Sequence, residues 1–259
     1  GSSPVDLHAV QTGDGIGELL TKIDEYSQQI SDSEMIRAVR GFRYTIGSLP
    51  VPVELHDTWV QTQIDQGNKW VPRQISSRRD GIQALADEAG FDAELLDEVV
   101  ITIDTLLDRI DGANPLSEEL MDVLDNAAEG GKQVGILCAK KTYKDMLDVY
   151  LKEKASDWIL GDDLRLFDEH TVRELSPGEV DWLITFDPLP PQTAIYYHHP
   201  ATEKTIVLGH ADGTLESRVY GVDYKRRPYL PRCVDGELPE VDVTTYGSTP
   251  EISEDDKSL

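Results

Sequence analysis

The sequence predicts an α/β protein, with an N-terminal all-α region followed by a parallel sheet and its flanking helices. Three observations predict it. Apolar residues recur at spacings of three and four through most of residues 4–130, the pair Gly130-Gly131 marks a change of pattern, and beyond it short apolar runs alternate with amphipathic stretches. The expected organisation is a helical region over 4–130, an α/β lobe over 131–247, and a disordered acidic tail over 248–259 that is poor in large apolar residues.

In the first region, 16–30 places Ile16, Leu19, Leu20, Ile23 and Tyr26 on one face of a helix, and 32–44 reads as a second. Pro50, Pro52 and Pro72 then bracket a stretch, read as irregular, that contains Trp59 and Trp70. Three further helices follow at 76–89, 92–110 and 117–128. Asp92 comes after a Gly90 stop, and Ser117-Glu118-Glu119-Leu120 can cap itself.

In the second region, KQVGILCA (132–139) is a short, continuously apolar strand of the buried parallel kind, and 142–155 is an amphipathic helix. Strands are expected at 157–161, 164–167, 180–186 (VDWLITF), 205–208 and 215–222, with a helix at 191–199. This alternation implies crossovers between parallel strands.

With 259 residues and 28.9 kDa, the chain is one large α/β domain or two small ones. A hydrophobic content of 39% and a mean hydropathy of -0.38 fit a soluble globular chain, and no apolar run reaches the roughly 18 residues of a membrane span. No signal peptide is legible and Gly1-Ser2-Ser3 reads as a cloning scar, so a cytoplasmic protein or a cut fragment is expected. Cys138 and Cys233 suggest neither a disulfide framework nor a zinc site.

Charge is the dominant compositional feature: 49 acids against 24 bases, net -25. Asp outnumbers Glu and Arg outnumbers Lys, the composition of proteins from salt-loving archaea, in which concentrated salt screens carboxylate repulsion. Such a charge opposes a generic nucleic-acid coat, so only a local basic patch could hold phosphates.

Sequence motifs exclude more than they assign. Gly131-Lys132 lacks a phosphate loop, because Asn126 stands in place of its first glycine and Gln133 in place of its hydroxyl residue. Gly13 to Gly17 (GDGIG) reads as a flexible turn with no preceding strand. No GxSxG, HExxH or EF-hand loop occurs. Asp162-Asp163 reads as solvated surface, and His198-His199 with His210 as packing and capping residues rather than metal ligands.

One resemblance covers about a third of the chain. Residues 132–151 (KQVGILCAKKTYKDMLDVYL) are similar to the opening strand and helix of the second RecA-like, or recombinase-like, lobe of helicase-like motor proteins of superfamilies 1 and 2. Residues 180–188 (VDWLITFDP) look like that lobe's later "vD.vi..d.P" strand, and Tyr196, Tyr197, His198 and the strand at 205–208 fall where the remaining motifs stand. The resemblance implies a Rossmann-like parallel sheet and one wall of a nucleotide cleft carrying Lys140, Asp187, His198 and His199. It departs at 197–204 (YHHPATEK), where the arginines that reach the γ-phosphate are missing and Lys204 cannot replace their forked contact. The first lobe with its phosphate loop is absent. No cofactor and no ATPase activity are therefore expected of this chain alone; ATP would enter only with a first lobe.

Two basic clusters suit contact with nucleic acid: Arg37, Arg40 and Arg43, whose spacing of three is read as one helix face, with Lys69, Arg73, Arg78 and Arg79 on either side of Trp70; and Lys225, Arg226 and Arg227 between Tyr224 and Tyr229. The function expected is an accessory, non-catalytic helicase-like domain that binds nucleic acid beside partner subunits, in an antiviral defence or genome-maintenance complex. The alternatives are a protein-interaction scaffold, and a small-molecule enzyme with its site near Ala139-Lys140, Gly161-Asp162 and Asp187-Pro188.

Overall fold

Seven residues near the N-terminus, Asp6–Thr12, form a strand, β1, inside the stretch expected to be helical. The spacing argument missed it because the run is short and mixes polar with apolar residues, so its identity comes from distant partners. It pairs in parallel with residues about 200 positions away, for example Thr12 with His210. In this computed structural model the described residues are 6–12, 15–90, 92–154, 163–176, 178–190, 193, 196, 202–212 and 241–246.

Six helices follow: α1 (Ile16–Gln29), α2 (Ser33–Gly47), α3 (Val53–Asp65), α4 (Ile75–Glu88), α5 (Ala93–Ile110) and α6 (Pro115–Glu129). The chain then continues as β2 (Val134–Leu137), α7 (Lys141–Lys154), β3 (Leu164–Phe167), a 3-10 turn (Thr171–Glu174), β4 (Trp182–Phe186), β5 (Lys204–His210) and β6 (Val241–Tyr246). The six strands form one sheet in the order β3-β2-β4-β5-β1-β6, parallel at every pairing. The expected class, a parallel α/β sheet with flanking helices and a helical stretch ahead of its central strands, is the one observed.

The prolines that suggested an irregular stretch in fact bound α3. Pro52 occupies the N-cap of that helix, where a missing N–H costs nothing, and Pro72 lies past its end. Asp32 caps α2 by accepting the amides of Glu34 and Met35. For α6 the cap is Asn114 rather than the expected Ser117: its side chain accepts the Leu116 amide, and Pro115 takes the first helical position. Asn114 is buried and also donates to the carbonyls of Leu49 and Val51, which ties the start of α6 to the α2–α3 connection.

Helices and sheet share one hydrophobic core, running from Ile16 and Leu20 of α1 through Phe42, Ile103 and Leu120 to Ile136, Ile184 and Leu208 of the strands. The burial of β2 and β4 at every position but Trp182 explains why KQVGILCA and VDWLITF read as continuous apolar runs. The strands expected at 157–161 and 215–222, most of the helix expected at 191–199, and the tail at 248–259 lie outside the described residues.

Candidate functional site

Because every strand runs the same way, all six carboxyl ends emerge along one edge. The chain leaves β2 toward β3 on one side and leaves β4 toward β5 on the other, so the β2/β4 boundary is the switch point where parallel sheets commonly open a crevice. Cys138, Ala139 and Lys140 follow β2, and Asp187 follows β4.

Here the C-terminal end of α2 fills that position. The Tyr143 hydroxyl of α7 donates to the Thr45 carbonyl at 2.7 Å, and a Cβ on Gly47 would lie 3.4 Å from Cδ of Pro188. Asp187 is only 2% exposed behind this helix end. Of the residues assigned to a nucleotide cleft, Asp187 is thus walled in, Lys140 stands on the neighbouring strand end, and His198 and His199 lie outside the described residues. The same covering helix stands over the Ala139-Lys140 and Asp187-Pro188 ends considered for a small-molecule enzyme.

Lys140 packs against two tyrosines of the helical layer. Its ammonium lies 5.0 Å from the Tyr44 ring centre and 4.9 Å from that of Tyr143, close enough for a cation–π contact with both. Burial, followed by the nearby Arg78 charge, lowers the Lys140 pKa against the opposing pull of Glu169. Arg78 reaches across from α4, its guanidinium 3.6 Å from where a Cβ on Gly41 would stand, and its Nε is buried without a hydrogen bond. Arg37, Gly41 and Tyr44 recur at i, i+4 and i+7 on α2 and so share a face. That face carries the exposed Arg37, has Arg78 packed at its middle, and ends at Tyr44 beside Lys140. The result is a strip of three cations, with Glu169 as the acid at its lower end.

Arg40, Arg43 and Arg79 are committed elsewhere. A series at spacing three drifts by roughly 60° per step around a helix, so Arg40 and Arg43 leave the face of Arg37. Arg40 donates to Ser27 on α1, and Arg43 binds Asp24 and Asp212 with its side chain 13% exposed. Arg79 forms a two-pronged ion pair with Asp104 and also meets Asp80. Lys225, Arg226 and Arg227 lie outside the described residues.

Below the strip, Lys144 of α7 and Asp168, just past β3, form a 2.6 Å ion pair. Burial would raise the Asp168 carboxyl, but Lys144 and the amides of Thr171 and His170 outweigh it and hold it at about 2. This pair fixes the turn that carries Glu169. Spacing gave no signal for it, since its members are 24 positions apart.

The Gly13 to Gly17 turn also needs correction: a strand, β1, does precede it, and α1 follows. The start of α1 is packed rather than open. A Cβ on Gly17 would stand 2.2 Å from the Ala211 carbonyl oxygen, so only glycine lets the helix close onto the end of β5. At the same edge Thr12 hydrogen-bonds His210 at 3.1 Å, which assigns His210 to packing between β1 and β5.

Among the described residues no group of three or more His, Cys, Asp or Glu side chains could hold a metal ion, and no helix is long and apolar enough to cross a membrane. No family model matches the chain, and no curated protein matches it. Among solved structures it is similar to the C-terminal part of the Fun30 ATPase domain, at 10% identity and a TM-score of 0.40, over 85% of this chain and 89% of that one.

Proposed function

We propose that this chain is an accessory helicase-like protein that grips nucleic acid by its phosphates along the Arg37–Arg78–Lys140 strip and does not hydrolyse ATP by itself. The observation that carries this reading is the strip: three cations gathered from α2, α4 and the end of β2 on a chain of net charge -25. Like charges held together in an acidic protein cost free energy unless an anion completes the site. The sequence pattern of the second RecA-like lobe supports the helicase-like reading. Lys225, Arg226 and Arg227 extend the phosphate contact, and partner subunits supply any nucleotide hydrolysis, in a cytoplasmic defence or genome-maintenance complex of a halophile.

The test is fluorescence anisotropy of labelled single- and double-stranded DNA titrated with the protein across a KCl series. Binding should weaken along a linear log-log slope, and Arg37→Glu with Arg78→Glu should reduce that slope by about 2, one for each phosphate that is no longer neutralised. No binding at any salt, or a slope unchanged in the double variant, overturns the reading. A second reading, a protein-interaction scaffold, is favoured by the ion pairs that absorb Arg43 and Arg79. A stoichiometric protein that co-purifies in high salt, with no DNA binding, would establish it.

A further inference from the structure

The connection between α3 and α4 holds out Trp70, which is 92% exposed, whereas Trp59 and Trp182 are packed against the core. An indole held this far into solvent forgoes the burial that usually positions tryptophan and leaves its face open for stacking.

The connection is braced at both ends by α3. Gly67 adopts φ 78, a left-handed conformation open to glycine, and its amide bonds the Ile64 carbonyl at 2.8 Å. Asn68 bonds Gln63 through both its backbone amide and its side chain, each at 3.0 Å. On the far side, Asp57 of α3 accepts the amides of Ile75 and Ser76, and its carbonyl accepts from Gln74. The tip between these anchors carries Lys69, Trp70 and Arg73, all exposed.

Charge identifies the occupant. From Gln66 to Arg79 there are four bases and no acid, in a chain with 49 acids among 259 residues. Neither Lys69 nor Arg73 has an ion-pair partner among the described residues. An anionic ligand with a flat face matches an indole between two cations. A duplex offers the anion but keeps its base faces stacked internally, while a single strand offers both.

We infer that the α3–α4 tip is a stacking site for single-stranded nucleic acid, with Trp70 on the face of an unpaired base and Lys69 and Arg73 on the flanking phosphates. This rests on the nucleic-acid reading above and adds the strand form and the residue that selects it.

The experiment compares a labelled oligo-dT of about 15 nucleotides with a hairpin duplex of similar length, titrated with the full chain near 0.1 M salt. Trp70→Ala should weaken oligo-dT binding roughly tenfold and leave the duplex within about twofold, while Trp70→Phe restores most of the loss. Because Trp70 is on the surface, the alanine variant should keep the parent melting midpoint. Unchanged oligo-dT affinity in Trp70→Ala overturns the inference and leaves the phosphate strip standing, as does an equal loss on both probes. A variant that keeps oligo-dT affinity but sheds a co-purifying acidic protein assigns the tip to protein docking and also overturns it. Failure of the parent chain to bind either probe overturns both readings.

Discussion

The Tyr143 hydroxyl donates to the carbonyl of Thr45 at 2.7 Å, joining α7 to the last turn of α2 across 98 positions. Carbonyls in a last helical turn have no partner within the helix, so this bond satisfies a group that would otherwise be buried and unpaired. It also holds the end of α2 over the switch point. Tyr143→Phe should therefore cost about 1–3 kcal/mol in urea unfolding, more than a surface substitution, by leaving that carbonyl stranded.

Asp57 is a cap supplied by a different helix. No side chain caps α4 at its own N-cap, Gln74, and the carboxylate of Asp57 on α3 takes the amides of Ile75 and Ser76 at 2.7 and 2.9 Å. Asp57→Ala should cost about 1–2 kcal/mol, as loss of an N-cap does. Burial would raise this carboxyl, but hydrogen bonds from His56, Ser76 and Ile75 win and lower it to about 2. A depressed folded pKa gives stability that is complete above the ordinary value of 3.8 and is lost as pH falls toward about 2. Acid titration followed by circular dichroism should show a shallower decline over that window in Asp57→Ala than in the parent.

The Lys144–Asp168 pair behaves like a buried salt bridge, with side-chain exposures of 19% and 2%. Removing one partner leaves the other charge unpaired, so Lys144→Met should destabilise by about 3–5 kcal/mol. In that variant the Asp168 carboxyl is without the ammonium that helps hold it at about 2, so it titrates nearer its ordinary value and the parent's acid-dependent loss shrinks. Thermal melts at pH 7 and pH 3 give both quantities. A melting midpoint at pH 7 equal to that of the parent would contradict the role assigned to the pair.

Salt should act on the whole surface. With a net charge of -25, self-repulsion weakens as the screening length falls from about 10 Å at 0.1 M to about 3 Å at 1 M. The melting midpoint should therefore rise between roughly 0.1 M and 2 M KCl. A flat profile would remove the halophilic reading.

Local chemistry made most of the helices legible. Ile16, Leu20 and Ile23 fall on the buried face that their spacing implies, and Asp32 caps the helix it precedes. One miss had a remote cause: β1 is a strand because residues near position 206 accept it. The other was local: α3 is a helix in spite of the prolines because Pro52 sits at its N-cap and Pro72 past its end. The site was partly legible. Lys140 stood out at the end of an apolar run, but the Tyr44 and Tyr143 rings that receive it are set by the packing of α2 on α7. Arg43 and Arg79 looked as available as Arg37, and only the fold decided which of them would meet carboxylates. The exposure of Trp70 left no mark on spacing at all.

The pairing of β1 with β5 also bears on how the molecule is made. Thr12 leaves the ribosome 198 residues before His210, its neighbour in the sheet. At roughly 5–20 residues per second, that interval is about 10–40 s. During it α1 to α7 are complete, while β1 waits with its backbone unpaired and β2, β3 and β4 assemble without an inner neighbour. Synthesis thus exposes an unfilled slot between β4 and the N-terminal segment, which a holdase or a partner subunit would have reason to cover until β5 arrives.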